Sequence, residues 1–267
     1  MKQITKSIFK TKITVAFILL LMVSCVEKKQ TQAQESSTIT ISGQVTDFDG
    51  NPIDSCLVYL IHRDFNSAYD TYSDSTGHYI LKSVEKGEYM ALAAIRMKDY
   101  PRENAVPEKD MRLEFWAWNV IADKNLTINP RYHRLELYGF QVFEVMGGAP
   151  YLMAYVRPMS LGKVISYGKN VYLDKSKAEK MSDISVQPDS IDFKIYADDE
   201  PLTIHSVQPL NEYEGEGNQP MRAFFLQFDR PKQFSGNYCI FRVEATHKAF
   251  GGEKGESMYF YEIKDYK

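Results

Sequence analysis

Thr38-Ile39-Thr40-Ile41-Ser42-Gly43-Gln44-Val45-Thr46-Asp47-Phe48-Asp49-Gly50-Asn51-Pro52-Ile53 decides the fold class of this 267-residue chain. Ile39, Ile41, Gly43 and Val45 fall on one face of an extended segment, and Thr40, Ser42 and Gln44 fall on the other. That is the period of a half-buried strand. Asp47 to Pro52 then supplies a turn: Asp and Asn cap the local backbone, Gly accepts positive φ, and Pro fixes the exit. The same grammar recurs downstream. A strand is expected over Cys56–His62, a turn at Asp74-Ser75-Thr76-Gly77, a strand from His78 to Leu81, a turn at Lys86-Gly87-Glu88, and a strand from Met90 to Ile95. Short strands punctuated in this way predict a β-sandwich. Asp47-x-Asp49-Gly50 lacks the further alternating oxygen ligands and terminal Glu of a calcium loop, so it reads as a hairpin turn.

Three pieces occur in order: Gly43-x-Val45-x-Asp47-x-x-Gly50-x-Pro52-Ile53, Asp74-x-x-Gly77-x-Tyr79 and Val84-x-x-Gly87-x-Tyr89. The series resembles the carboxypeptidase regulatory-like (transthyretin-like) domain. The resemblance implies a small Greek-key sandwich, an accessory module with a scaffold or binding role and no catalytic residues of its own.

Beyond it, the charged, proline-bearing stretch Lys98–Met111 is a loop, and strands are expected over Arg112–Ile121, Leu126–Ile128 and Leu135–Val145. Trp116 and Trp118 are the only tryptophans, and two-residue spacing puts them on one face of a strand. Adjacent rings suit a sugar platform, with Asn119 or Tyr138 supplying polar contacts; they equally suit a sandwich core. His133-x-x-Glu136 has the spacing of part of a zinc motif. In an alternating strand, however, the two side chains leave on opposite faces, so no metal site is expected.

Met146-Gly147-Gly148-Ala149-Pro150 breaks the pattern and divides a first domain, 38–146, from a second, 147–267. Strands then recur at Tyr151–Val156 (ended by Arg157-Pro158-Met159-Ser160), Ile191–Tyr196, Leu202–Ile204, Ala223–Phe228, Tyr238–Ala245 and Ser257–Ile263. Lys169–Ser185 reads as a loop with one helical turn, and the acidic Asn211–Gln219 as a solvated loop tip. Glycine-rich Phe250–Gly255 precedes no helix and so lacks a nucleotide loop's anion site. The fold class is therefore all-β: an N-terminal transthyretin-like Greek-key sandwich followed by a second, immunoglobulin-like sandwich.

The first residues carry an address. Lys2, Lys6, Lys10 and Lys12 precede an apolar run, Ile13–Val23, too short to span a bilayer. Leu21-Met22-Val23-Ser24-Cys25 resembles the lipobox of bacterial lipoproteins. It implies a signal peptide over 1–24, lipidation of Cys25, and acyl chains as the membrane contact. Polar residues 25–37 form a flexible tether. Val26, where Asp would be the familiar inner-membrane retention signal, points to the outer membrane. A formal net charge of −3 argues against a nucleic-acid partner. Cys56 and Cys239, in strand-like runs, are expected as buried free thiols.

Five scattered histidines and the lack of a Gly-x-Ser-x-Gly elbow suggest no enzyme, and no cofactor is implied. Function is expected in a non-catalytic, lipid-anchored envelope protein that binds a glycan as part of an uptake system. The alternative is a structural or assembly subunit that docks an outer-membrane protein partner. An exposed Trp116–Trp118 face favours the glycan, and a buried pair with an uncovered apolar edge favours the protein partner.

Overall fold

The computed structural model describes residues 37–96, 112–148, 150–167, 183–213, 221–234 and 236–263. The signal peptide over 1–24, Cys25, all of the 25–37 tether but Ser37, and the whole 98–111 loop lie outside them. Thr38–Lys267 forms one compact unit. It is all-β, built from three sheets stacked as sandwiches. Strands β1 (Thr38–Gln44), β4 (His78–Glu85) and β7 (Leu126–Thr127) make a small sheet in the order β4-β1-β7. Strands β2 (Leu57–Ile61), β3 (Ser67–Tyr72), β5 (Gly87–Arg96) and β6 (Leu113–Ala122) form half of an eight-stranded sheet. Its other half is β10 (Ile191–Ala197), β11 (Glu200–Leu202), β14 (Tyr238–His247) and β15 (Glu253–Glu262), in the overall order β11-β10-β14-β15-β6-β5-β2-β3. A four-stranded sheet, β12-β13-β9-β8, contains β8 (Leu135–Phe143), β9 (Leu152–Ser160), β12 (Ile204–Glu212) and β13 (Met221–Phe228).

The long sheet thus serves both sandwiches, joined at its middle by parallel pairing of Ser257 with Trp116 and of Tyr259 with Trp118. Strand alternation places the two cores on opposite faces. Phe260 of β15 joins Ile41, Leu60, Leu92 and Phe115 in the first core, while its neighbours Tyr259 and Tyr261 pack on the second, around Val156, Phe224, Phe228 and Phe241. The small sheet covers one half of the long sheet, and the four-stranded sheet covers the other half from the opposite side.

Local chemistry explains the first sandwich. A Cβ at Gly43 would stand 1.8 Å from the Ile128 carbonyl oxygen, so only glycine lets β1 approach that segment. Ile128 in turn accepts from the buried Tyr79 hydroxyl at 2.7 Å and donates to Ser42. Two-residue β7 is prolonged by side chains: Asn125 and Asn129 accept from the Thr40 and Gln44 amides, at 2.9 and 3.0 Å. Gly50 and Gly77 hold φ of +84° and +78° and donate back to Asp47 and Asp74, the turns expected from sequence. Gly87 instead opens β5.

Four elements differ from the sequence reading. Ser67–Tyr72, exposed and polar, is the strand β3. β9 continues through Pro158 to Ser160, because pairing with β13 stops at Val156 and the missing Pro158 N–H costs no ladder bond on that side. β12 extends to Glu212, which the sequence placed in a loop; 214–219 lie outside the described residues. A short helix, α1 (Leu161–Ser166), precedes the stretch where a helical turn was expected, of which 169–182 lie outside the described residues. Its N-cap Ser160 accepts from the Lys163 amide and donates at 2.5 Å to buried Glu253. Glu253 also binds His247 Nδ1 at 2.8 Å and the Gly162 amide at 2.5 Å, clamping α1 to the β14–β15 turn. Cys56 and Cys239 are buried free thiols. Burial pushes the Cys56 thiol up to about 11 and the Cys239 thiol up to about 12. Among the described residues, no helix is long and apolar enough to cross a membrane.

Candidate functional site

Beside the four-stranded sheet, the long sheet shows a face lined by Tyr59, Trp116 and Trp118 against Ala91, Ala93 and Ile95. Of the four residues singled out in the sequence, the structure brings Trp116, Trp118 and Tyr138 together. The two indoles stack on each other, centroids 4.8 Å apart and planes 9° off parallel. Tyr138 arrives from β8 and meets both edge-on, at 5.5 and 5.1 Å. A bulge at Gly139, φ +66°, interrupts the β8–β9 register just after it. Asn119 stands apart. Its φ of +53° takes it out of the pleat, and its side-chain nitrogen donates to the Phe260 carbonyl at 2.8 Å.

Trp116 is 6% exposed and its indole N–H donates to buried Glu114 at 2.9 Å. Trp118 is half-buried, and its indole nitrogen is buried without a partner. Polar groups continue the row: Arg157 lies over the Tyr138 ring at 5.3 Å and pairs with Glu212 at 3.0 Å, and Glu212 accepts from the Tyr155 hydroxyl at 2.6 Å. Burial raises the Tyr138 phenol, a trend that Arg157 opposes and Glu114 reinforces. Tyr59 is raised by burial and then by Glu114. Glu114, two residues before Trp116, was legible as a same-face neighbour. Arg157 and Glu212 were not, since β9 and β12 deliver them from distant sequence.

On the opposite face of the long sheet, Arg131 pairs with Glu244 and Glu256, and Arg242 joins both glutamates to Asp199. Glu256 is almost wholly buried, with one carboxylate oxygen unpartnered. Burial pushes its carboxyl up to about 7, overcoming the pull of Arg131 and Arg242. Burial pulls the Arg131 guanidinium down, but Glu256 and Glu244 together outweigh it and raise it on balance. His133 Nδ1 accepts from the Lys254 amide. Among the described residues, no three His, Cys, Asp or Glu side chains gather as a metal would require.

No family model matches the chain. No curated protein matches it either. Solved structures give distant likenesses. BcpA, the major pilin subunit of Bacillus cereus, is 10% identical, with 83% of this chain and 69% of that chain covered and a TM-score of 0.24. The full-length major pilin SpaD of Corynebacterium diphtheriae is 6% identical, with 82% and 64% covered and a TM-score of 0.25. The major pilin SpaA of the same organism is 7% identical, with 82% and 68% covered and a TM-score of 0.23. Likenesses this distant carry no argument about what the chain does.

Proposed function

We propose that this chain is a non-catalytic protein of the cell envelope, anchored through a lipid on Cys25, that docks an extended segment of a protein partner along β3. The observation that carries the docking is how its sheet edges are guarded. Among the described edge strands, β7 and β11 are short, β12 contains Pro209, β8 is broken by the bulge at Gly139, and β4 carries Lys82 and Ser83 at φ +55° beside a shifted register. Natural edges are protected in these ways against pairing with another chain. β3 has six residues with neither Pro nor Lys; its one irregularity, at Ala68, lies at its start, so Tyr69–Tyr72 runs in regular register and ends in Tyr72, 60% exposed. Such an edge suits strand addition.

The sealed Trp116 supports the same reading, because a ring stacked on Trp118 offers no open face to a sugar. A photo-crosslinking residue at Tyr72 should give a discrete protein adduct in cells, and one at Val207 in β12 should give none. Adducts from neither position, together with polysaccharide shielding of the tryptophans from acrylamide, would return the site to the glycan reading. The anchor is tested separately: Cys25→Ala should abolish palmitate incorporation and release the protein from membranes.

A further inference from the structure

A groove of about 480 Å³ opens where β6 and β15 run beside the end of β8. That is within the range of small-molecule sites, roughly 300–1,000 Å³. Asn119 lines it, in a left-handed conformation that is uncommon outside glycine and is often kept at binding sites. With its nitrogen committed to Phe260, the Asn119 side chain offers its carbonyl oxygen as the remaining polar end. Tyr259 and Gln141 stand on the same wall, which adds a hydroxyl and an amide.

Two ion pairs lie on the lining, Arg63 with Glu88 at 3.7 Å and Arg230 with Glu144. Each presents a donor directly beside an acceptor. A hydroxyl group is both donor and acceptor, so it can bridge such a pair without breaking it. Both arginines are already met by a glutamate, and the third glutamate, Glu262, leaves the lining with an excess of negative charge that opposes an anion and is the single feature a cation could use. Phe234 and Tyr261, stacked at 6.3 Å, add aromatic surface.

We infer that this groove binds a short neutral oligosaccharide, with Asn119 and Tyr259 as its principal polar contacts. The site is separate from the β3 edge, so either assignment stands if the other fails. The test uses residues 26–267, which contain the whole compact unit, titrated calorimetrically with cellotriose, xylotriose, maltotriose, trigalacturonic acid and trilysine. One or more neutral trisaccharides should bind at millimolar Kd or tighter. Asn119→Gly keeps the backbone conformation and removes the amide; Tyr259→Phe removes the hydroxyl. Each should raise Kd about tenfold, the loss of one or two polar contacts, with Tm unchanged for Tyr259→Phe and at most slightly lowered for Asn119→Gly, which also loses the bond to Phe260, while Val207→Ala on β12 leaves Kd as it was. The inference is overturned if no neutral trisaccharide binds, if either charged probe binds more tightly than all of them, or if both groove variants leave Kd unaltered.

Discussion

Glu256 shows how one side chain can make stability depend on pH. Its carboxyl is raised to about 7 from an ordinary 4.5, so the folded protein holds this proton longer than the unfolded chain does. Below pH 4.5 both states are protonated and no penalty applies. As pH rises from there to 7 the unfolded chain releases the proton first, and stability falls by an amount on the order of 3 kcal/mol before levelling off. Glu256→Gln has no proton to lose. The stability of wild type minus that of the variant should therefore decline between pH 4.5 and 7.5 in paired thermal melts, and a flat difference would mean an ordinary carboxyl. Gly43→Ala tests close packing, since its new methyl would meet a backbone oxygen. We expect a loss of about 2–4 kcal/mol in urea titrations, at or above the usual cost of overpacking. Gly43, Gly50 and Gly77 were legible because turns and close approaches demand glycine. The burial of Glu256 was not, because an alternating polar residue reads as solvated until a loop residue such as Arg131 closes over it.

At the scale of elements, α1 is too short to be stable by itself, and Ser160, Glu253 and His247 hold it in place. Ser160→Ala removes both the cap and a hydrogen bond to a buried carboxylate and should cost about 2 kcal/mol. Glu253→Ala, which strands three donors, should cost more; equal losses in urea unfolding would show that the three do not act as one clamp. Strands with strict alternation, such as β1, β4 and β14, were readable from sequence. β3 was not, because an exposed edge strand has no buried stripe to reveal it. Pro158 argued for a strand end that the structure lacks, since whether proline is tolerated depends on where the neighbouring strand stops. The candidate site divides in the same way. Its tryptophans stood out by rarity and spacing, and Tyr138 as a polar partner, whereas Arg157 and Glu212 behind Tyr138 come from β9 and β12.

For the whole molecule, two β-sandwiches were legible and the sheet they share was not, because the join pairs residues 141 positions apart. We propose that the shared sheet makes residues 38–146 and 147–267 unfold together. Tryptophan emission and far-UV circular dichroism should then report one coincident transition, and two resolved transitions would restore independent domains. The β6–β15 join also bears on the order of events during synthesis. β6 lies at the middle of the finished sheet, yet its partner is the last strand to be made among those described. Until residues 253–262 emerge, the first half of the chain carries a long, apolar, unpaired border that can recruit a neighbouring nascent copy. Premature termination before Glu253 would therefore yield a sticky fragment, prone to misassembly, instead of a merely shortened protein.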